Sequence, residues 1–416
     1  MRALLSPGER KSMEPLSRRA GLDANVFQNY ISDAPWSDVK IQRINIRTLL
    51  DEKLADRNAV IAFDDTGFPK QGSKSPGVGR QYSGTLGRVG NCQVAVAGFY
   101  IVPGKAKNRN ALRWPLGGKL YLPKDWIEDR ARRQRAAIPD DVVFKTKLEL
   151  ALEVLDQARA ERVPHRCITA DEAYGNGREF REALRARKEP YALAASADTL
   201  RVIPEATPVA VPPSKGTAHF ARPRYPENVR AQSPREIAQS LGDRAWKTVA
   251  WSEGTKGKLS GRFTRQRVRV VEPHGRMRWA HDETGWLLLE DSPQRLKAWI
   301  CWGLDDATLP ELARLAHARG MIEQSFEEMK EELGLDHFEG RKWRGFHHHM
   351  TMVFLAYSYL QWIRATGKAK GDLPTIAEVR AHVVLRSFKQ QLIGDGWSER
   401  EAAEITERAA PYLVGV

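Results

Sequence analysis

Apolar and polar residues are arranged along this chain in a pattern that predicts strands and helices in turn. Short apolar runs at residues 60–63 (VIAF) and 167–170 (CITA) each predict a buried strand, and each run ends in an aspartate, Asp64 and Asp171. The segment QVAVAGFYIV predicts a further strand, and leucines at helical spacing precede the second aspartate. This alternation of strands and helices indicates an α/β core.

Helical patterns flank this core, with a strand-rich stretch between them. Residues 6–9 (SPGE) form a capping box, and the patterns that follow predict a helical bundle. Such a bundle is either a helix-turn-helix that reads DNA or an appendage that packs on the core. Residues 246–302 are mostly strand-like and rich in tryptophan, which we expect mainly in the core. One long helix at 309–333, ended by Gly334, and another at 346–364 are predicted to follow.

Composition and charge narrow the classes of protein to which the chain can belong. The 416 residues carry 66 Lys and Arg against 52 Asp and Glu, a net charge of +14 that favours a polyanionic partner, nucleic acid before membrane. Three well-separated cysteines favour a reducing cytoplasm over a disulfide framework or a zinc site. The N-terminus lacks a signal-peptide core, and the most apolar helical run is too short to span a bilayer. We therefore expect a cytoplasmic protein with no membrane partner.

The loop after Asp64 has two interpretations. Residues 67–72 (GFPKQG) match the first half of a nucleotide-binding P-loop, but the required lysine is displaced and Pro69 lacks an N–H for phosphate. Asp64 and Asp171 instead follow strands whose carboxyl ends meet at the edge of an α/β sheet where ligands bind. Their hard oxygen atoms suit Mg²⁺ or Mn²⁺. A carboxylate site is therefore favoured, and no nucleotide cofactor is expected.

A third carboxylate lies on the predicted helix at residues 309–333. At about 100° per residue, Glu323 shares one stripe with Arg319 and Lys330. This stripe adjoins an apolar stripe that would dock the helix on the sheet. Glu323 could therefore bind a metal ion, and Arg319 and Lys330 could bind a phosphate. The other glutamates of the helix are expected to be solvated surface charge: Glu327, Glu328, Glu331 and Glu332.

Four segments carry a resemblance to a known family: DDTGFPKQGSKSPGVGRQYSGTLGRVGNCQVAV, LYLPKDW, TADEAYG and IEQSFEEMKEELGLDHFEGRKWRGFHHHM. In this order they resemble the DDE transposases of bacterial insertion sequences, in the IS-four superfamily and its IS-seven-oh-one-like branch. The resemblance covers about residues 4–360. It implies an α/β fold with an RNase H-like mixed sheet, like that of retroviral integrases, flanking helices, a β-rich insertion and an N-terminal helical region.

The resemblance also implies which carboxylates act. Asp64, Asp171 and Glu323 match the family's catalytic residues, and Asp64 is preferred to Asp65 because the family pattern is Asp, an acidic residue, then Thr-Gly. The long gap between Asp171 and Glu323 requires an insertion, which the strand-rich stretch supplies. Together the three would hold two Mg²⁺ or Mn²⁺ ions for phosphoryl transfer, which cuts the element ends and joins them to target DNA.

The superfamily's signature of tyrosine, arginine, glutamate and lysine maps its last three members to Arg319, Glu323 and Lys330. Ala316 stands at the tyrosine position, which affects contacts to the DNA end, and Gly320 replaces the usual tryptophan and loosens the helix by roughly 1 kcal/mol relative to alanine. Relatives carry additional N-terminal helical sequence, which leaves open a shortened DNA-binding region here. A second hypothesis is therefore a catalytically silent, transposase-derived DNA-binding protein that acts as a repressor or architectural factor.

Two basic clusters are expected to contact DNA phosphates, so that binding depends on salt. One follows Asp64 and the other follows the Glu323 helix: Lys70, Lys74, Arg80, Arg341, Lys342 and Arg344. His347, His348 and His349 point about 100° apart on a helix and cannot face one ion, so they are expected at the surface or beside DNA. By family analogy, a homodimer on double-stranded DNA pairs the two element ends.

Patterns and resemblance together divide the chain into five regions. They are an N-terminal helical DNA-binding region (1–57), the first part of the RNase H-like catalytic core (58–198), a β-rich insertion (199–308), the catalytic and closing helices of the core (309–366) and a C-terminal helical region (367–416). The expected location is the bacterial cytoplasm, with association to the nucleoid when DNA is bound.

Overall fold

The computed structural model describes residues 2–6, 10–84, 87–103, 112–211, 222–254, 257–272, 278–292, 294–367 and 374–414. Three residues of the predicted capping box, 7–9, lie outside the described residues. The strands are β1 (Val60–Pro69), β2 (Gly79–Ser83), β3 (Arg88–Val102), β4 (Leu112–Leu120), β5 (Cys167–Ala170), β6 (Tyr191–Ala195), β7 (Val202–Pro204), β8 (Lys247–Gly254), β9 (Gly257–Val271), β10 (Ala280–Asp291) and β11 (Leu296–Trp302).

The helices surround this set of strands in sequence and in space. They are α1 (Arg2–Leu5), α2 (Met13–Ala20), α3 (Ala24–Ser32), α4 (Asp38–Asp51), α5 (Lys124–Glu128), α6 (Arg130–Arg135), α7 (Lys147–Ala160), α8 (Glu172–Gly175), α9 (Arg178–Ala186), α10 (Pro234–Ser240), α11 (Leu309–His317), α12 (Gly320–Leu333), α13 (Trp343–Thr366), α14 (Ile376–Gly394) and α15 (Glu399–Val414). Among the helices that the structure describes, none combines the length and the apolar character needed to cross a membrane.

Five strands make the centre of a large mixed sheet, in the order β4, β3, β1, β5 and β6. β1 pairs antiparallel with β3 and parallel with β5, and β5 pairs parallel with β6. The apolar residues of β1 and β5 are buried, as expected for parallel strands that helices cover on both faces. The mixed sheet with flanking helices confirms the predicted fold class.

The strand-rich stretch after residue 199 continues the same sheet. β11 pairs antiparallel with β6, and β10, β9 and β7 follow in order, while β8 pairs with the other half of β9. Trp299 is buried, and further tryptophans of this stretch pack against the two main apolar clusters. Trp279 differs, because the Arg222 guanidinium lies 4.6 Å from its ring centroid.

Helices on the two faces hold the carboxyl edge of the sheet in place. On one face, α12 and α13 pack against β1, β3 and β4, where Phe99 meets Phe326 and Phe354 edge-on, and α11 packs against β5 and β6. On the other face, α4 and α7 cover an apolar cluster that includes Phe63. The predicted N-terminal helical region is confirmed, and its α3 and α4 pack against α13 and β4. That packing is what the appendage alternative predicts.

The prediction of one helix over 309–333 is wrong, because the structure has two. The first, α11, ends at His317, and α12 begins at Gly320. At the junction the hydrogen bonds tighten to an i→i−3 pattern, with Met321 N–H donating to the Ala318 carbonyl. Gly320 has low helix propensity, so the interruption falls at the weakest point of the segment. Arg319 therefore lies at a junction between two helices.

The expectation that the three histidines lie at the surface or beside DNA is also wrong. All three are buried, with exposures of 5, 1 and 6% for His347, His348 and His349. His348 stacks on Trp36, and the Nε2–H of His349 donates to the Gly334 carbonyl at 2.9 Å. An imidazole ring is largely apolar and can be buried once its nitrogens have partners. These histidines therefore belong to the core under the N-terminal helices.

Burial of His349 gives a testable dependence of stability on pH. Burial lowers the pKa of His349 to about 4, below the ordinary value of 6.5. Between these two values the unfolded chain binds the extra proton, so stability is full above pH 6.5 and falls as the pH drops towards 4, by up to about 3 kcal/mol. Urea unfolding of the protein and of His349→Gln across this range checks the effect. A slope that is the same in both proteins would assign the loss of stability to other groups.

Glu328 is not the solvated surface charge that the sequence predicts. Its carboxylate accepts hydrogen bonds from the Arg113 guanidinium at 2.8 Å and the Tyr357 hydroxyl at 2.6 Å, and Arg113 is 2% exposed. Glu332 is paired as well, with Arg380 at 2.5 Å. A buried arginine needs a counter-charge, which a helical periodicity does not reveal. The hydrogen bonds of Glu328 with Arg113 and Tyr357 link α12 to β4 and α13.

Candidate active site

Two aspartates predicted from the sequence stand side by side at the carboxyl end of β5. The prediction that each follows a strand end is wrong for Asp64, because β1 continues from Val60 to Pro69 and Asp64 lies within it. β1 and β5 are parallel with Phe63 beside Ala170, so the residues that follow, Asp64 and Asp171, stand side by side. Burial raises the pKa of Asp64 to about 7, an effect that Arg319 opposes and the neighbouring Asp171 reinforces. Burial also raises the pKa of Asp171. The two carboxylates thus share a partly dry environment in which added positive charge is stabilising.

Each aspartate is oriented by a backbone N–H. The Asp65 N–H donates to Asp64 Oδ1 at 2.8 Å. Asp171 is the N-cap of α8, and its Oδ1 accepts the Tyr174 N–H at 3.1 Å. The short turn of α8 thereby fixes the second carboxylate where the strand ends.

The third predicted carboxylate, Glu323, lies in the first turn of α12 and is linked to Asp64 by an arginine. Arg319 Nη1 lies 2.8 Å from Glu323 Oε1, and Arg319 Nη2 donates to Asp64 Oδ2 at 3.0 Å. The Glu323 side chain is 59% exposed, whereas that of Asp64 is 11% exposed. Across the described ranges, no three His, Cys, Asp or Glu side chains are close enough to hold one metal ion. Asp64 and Asp171 are therefore adjacent, and the Arg319 guanidinium lies between Asp64 and Glu323.

The donor set fits a hard divalent cation. Asp64 and Asp171 offer carboxylate oxygens at one sheet edge, which are ligands that Mg²⁺ and Mn²⁺ prefer. Asp64 is 8% exposed, and its second oxygen is compensated by Arg319. A buried carboxylate requires such compensation from a cation. Glu323 is exposed enough to join the same set once its link to Arg319 is released.

Tyr174 and Lys147, which bond Asp65, stabilise this part of the sheet and were not found by sequence reasoning. Asp65 points to the opposite face of β1, where its carboxylate accepts hydrogen bonds from the Tyr174 hydroxyl and the Lys147 ammonium, both at 2.5 Å. The Tyr174 bond joins the turn after Asp171 to the strand that carries Asp64. Side chains alternate along a strand, so the opposite orientation of Asp65 could have been inferred, but its partners depend on the tertiary fold.

The link through Tyr174 gives a prediction about metal dependence. Tyr174→Phe removes one hydrogen bond that joins the turn after Asp171 to β1, and we expect the Mg²⁺ concentration for half-maximal DNA cleavage to rise about tenfold. Titration of cleavage against Mg²⁺ measures it, with Tyr359→Phe on the outer face of α13 as the control. If Tyr174→Phe lowers only the melting temperature, the tie supports folding and not the site.

The predicted basic residues are divided among several surfaces. Lys70, Lys74 and Arg341 line one open groove of about 1030 Å³, and Lys70 and Arg80 line a neighbouring one. The Lys70 ammonium donates to the Phe338 carbonyl, which ties the loop after β1 to the segment after α12. Lys74, Arg80 and Arg341 are exposed, as phosphate contacts require.

Lys330 and Arg344 each donate a hydrogen bond to a backbone carbonyl, whereas the Lys342 side chain makes no capping bond; Arg344 is exposed as well. Burial lowers the pKa of Lys330, whose ammonium donates to the Gly67 carbonyl at 3.3 Å. Lys342 is the N-cap residue of α13. Arg344 donates to the Asp33 carbonyl at 2.8 Å and lines a separate cavity beside α4. Lys330 thus holds α12 against β1, close to the aspartates.

Comparison with known proteins yields one family and one similar chain. A family described as DDE superfamily endonuclease matches residues 1–258, a stretch that contains Asp64 and Asp171 and ends before Glu323. Over 182 residues the chain is 27% identical to a "Probable transposase for insertion sequence element IS701" of Microchaete diplosiphon. This match covers 43% of each chain, so it spans less than half the length of that relative.

Proposed function

This chain belongs to the DDE superfamily of endonucleases, and we propose that it is the transposase of a bacterial insertion sequence. It would cut the ends of the element and join them to target DNA. The observation that carries the proposal is that Asp64, buried within β1, and Asp171, directly after β5, stand side by side, while the Arg319 guanidinium links Asp64 to Glu323. The similarity of part of the chain to a probable insertion-sequence transposase supports the same function.

Asp64, Asp171 and Glu323 would hold Mg²⁺ or Mn²⁺, with two ions in each site. When bound, such ions polarise the scissile phosphate and lower the pKa of the attacking water or DNA hydroxyl. The sheet edge keeps the two aspartates dry, while Arg319 provides a planar guanidinium that matches phosphate oxygens. No side chain needs to form a covalent bond to DNA, and no nucleotide is required.

The substrate would be double-stranded DNA, both the element ends and the target. The groove beside the loop that follows β1 carries the exposed cations Lys74, Arg341 and Arg10, and it also contains the carboxylates of Asp336 and Glu339. Contacts of this kind release counterions, so binding should weaken steeply with added salt. Pairing of two ends calls for a homodimer on the DNA, working in the bacterial cytoplasm at the nucleoid.

The experiment that tests this proposal uses the purified chain and a plasmid that carries the DNA flanking its gene. Strand cleavage is compared in Mg²⁺, in EDTA and with Glu323→Gln. We expect cleavage at defined ends that requires both the metal and Glu323. Cleavage that persists in EDTA would contradict the proposal.

A second candidate is a silent DNA-binding derivative. It is favoured by the ion pair between Glu323 and Arg319, and by Ala316 and Gly320 at positions where the resembling family has tyrosine and tryptophan. DNA that is retarded on a gel but not cut in Mg²⁺ or Mn²⁺ would support this candidate against the transposase.

A further inference from the structure

One arginine connects two of the proposed metal ligands that lie on different elements. Arg319 stands at the junction between α11 and α12, and its side chain is 25% exposed. Its Nη2 bonds Asp64 Oδ2 within β1, and its Nη1 bonds Glu323 Oε1 in the first turn of α12. Its buried Nε has no hydrogen-bond partner among the described residues. The guanidinium thus neutralises a buried and an exposed carboxylate at once.

These contacts compete with metal binding for the same atoms. A guanidinium and a hard divalent cation both take the lone pairs of carboxylate oxygens, and an oxygen that accepts from Arg319 directs those lone pairs away from an ion. Glu323 is 59% exposed and Asp64 is held in the sheet, so release of the arginine would allow Glu323 to turn towards Asp64.

A DNA phosphate is the group on the substrate best suited to remove the arginine. Phosphate oxygens accept the planar fork of a guanidinium in a bidentate manner, and the pairing is charge-assisted. The groove of Lys70, Lys74 and Arg341 lies along the loop that follows β1, and Lys330 ties that strand to α12. DNA bound in this groove would bring its backbone to the end of β1, the strand whose Asp64 is bonded to Arg319.

We propose that Arg319 is an exchangeable counter-ion that couples metal loading to DNA binding. On its own, the chain would keep Asp64 and Glu323 paired with Arg319; bound DNA would transfer the guanidinium to a phosphate and free both carboxylates for the metal. The inference rests on the proposed function, because it takes DNA as substrate and these carboxylates as ligands. Coupling of this kind is reciprocal, so the metal must tighten DNA binding by the same factor.

Calorimetric titration of the full chain with Mn²⁺ tests the coupling, with and without a short duplex taken from the flanking DNA and already cut at its end. For the natural chain we expect the duplex to tighten Mn²⁺ binding at least about fivefold. Arg319→Gln should bind Mn²⁺ tightly without DNA and show a coupling factor near one. Arg319→Lys keeps the positive charge but loses the planar guanidinium, so its Mn²⁺ affinity without DNA and its coupling factor should lie between those of the natural chain and Arg319→Gln. This variant also tests the inference if Arg319→Gln does not fold.

The matched control is Arg314→Gln, which removes the same charge from α11 without touching Asp64 or Glu323. It should keep the coupling factor of the natural chain. Loss of the coupling in Arg314→Gln would show that the net positive charge of this region causes it, and would overturn the role of Arg319. Equal Mn²⁺ affinity of the natural chain and Arg319→Gln without DNA would overturn it as well.

A further variant separates failure of this inference from failure of the proposed function. Asp64→Asn, made in the Arg319→Gln chain, should abolish the tight Mn²⁺ binding. If Asp64→Asn abolishes Mn²⁺ binding in the presence of the duplex but Arg319→Gln alone behaves as the natural chain does, the counter-ion role is overturned and the ligand assignment stands. If Asp64→Asn leaves Mn²⁺ binding unchanged, the ions are held elsewhere, and the proposed site and this inference both fall.

Discussion

Replacement of Asp64 by asparagine is expected to lower the rate of DNA cleavage by on the order of a thousandfold. The change removes the charge of the most buried carboxylate of the proposed site while the side chain keeps its size. Loss of a ligand that supplies several kcal/mol of charge stabilisation in the transition state corresponds to a factor of this order. Cleavage of an end-labelled duplex in Mg²⁺, under single-turnover conditions, measures the rate directly.

The neighbouring aspartate provides a control of the same chemistry. Asp65→Asn removes a charge one residue away, but Asp65 lies on the opposite face of β1 and binds Tyr174 and Lys147. We expect a loss of only about ten- to a hundredfold, as for groups that orient a ligand from behind. Equal losses in the two variants would contradict the assignment of Asp64 as ligand and Asp65 as support.

Replacement of Gly175 by alanine is expected to lower the free energy of unfolding by more than about 3 kcal/mol. A Cβ on Gly175 would lie 1.7 Å from the Ala194 carbonyl oxygen, so α8 would have to move away from β6. The Gly175 carbonyl also accepts a hydrogen bond from Arg181 at 2.6 Å, and a shift would strain it. Overpacking against backbone of this kind costs 1–3 kcal/mol or more. Urea unfolding followed by fluorescence measures the change.

A glycine in open space serves as the control. A Cβ on Gly242 would have no atom within 4 Å, so Gly242→Ala should change stability by less than about 0.5 kcal/mol. Because α8 carries Asp171 at its N-cap, Gly175→Ala should also weaken Mn²⁺ binding. A Gly175→Ala protein as stable as the Gly242→Ala protein would show that the turn has room to relax.

The two strands of the site could be predicted because their signal is local, although β1 continues past Asp64 to Pro69 and only Asp171 follows a strand end. The runs VIAF and CITA are apolar without interruption, which parallel strands buried on both faces require, and the aspartates follow at once. Their adjacency follows from the rule that ligands bind at the carboxyl edge of such a sheet. The preference for Asp64 over Asp65 came from family resemblance, and it stays a prediction that the two asparagine variants test.

The parts that sequence reasoning missed depend on contacts between distant segments. Periodicity gave one helix over 309–333, whereas the chain turns at Arg319 and directs its guanidinium to Asp64. The same periodicity placed Glu328 at the surface, although Arg113 from β4 lies beside it. The prediction for the histidines was wrong for a related reason, since segments distant in sequence cover them: the N-terminal helices over His348, β4 over His347, and the segment after α12 over His349. A single sequence contains no direct record of such partners.

The most direct test of the proposed site is the position of Mn²⁺ in a crystal of the chain with its element-end DNA, found by anomalous diffraction. We predict two ions at the carboxyl edge of the sheet, with Asp64, Asp171 and Glu323 as protein ligands and Arg319 turned to a DNA phosphate. Ions held by other residues, or DNA bound in a cutting position while Glu323 stays paired with Arg319, would contradict the assignment of these three carboxylates.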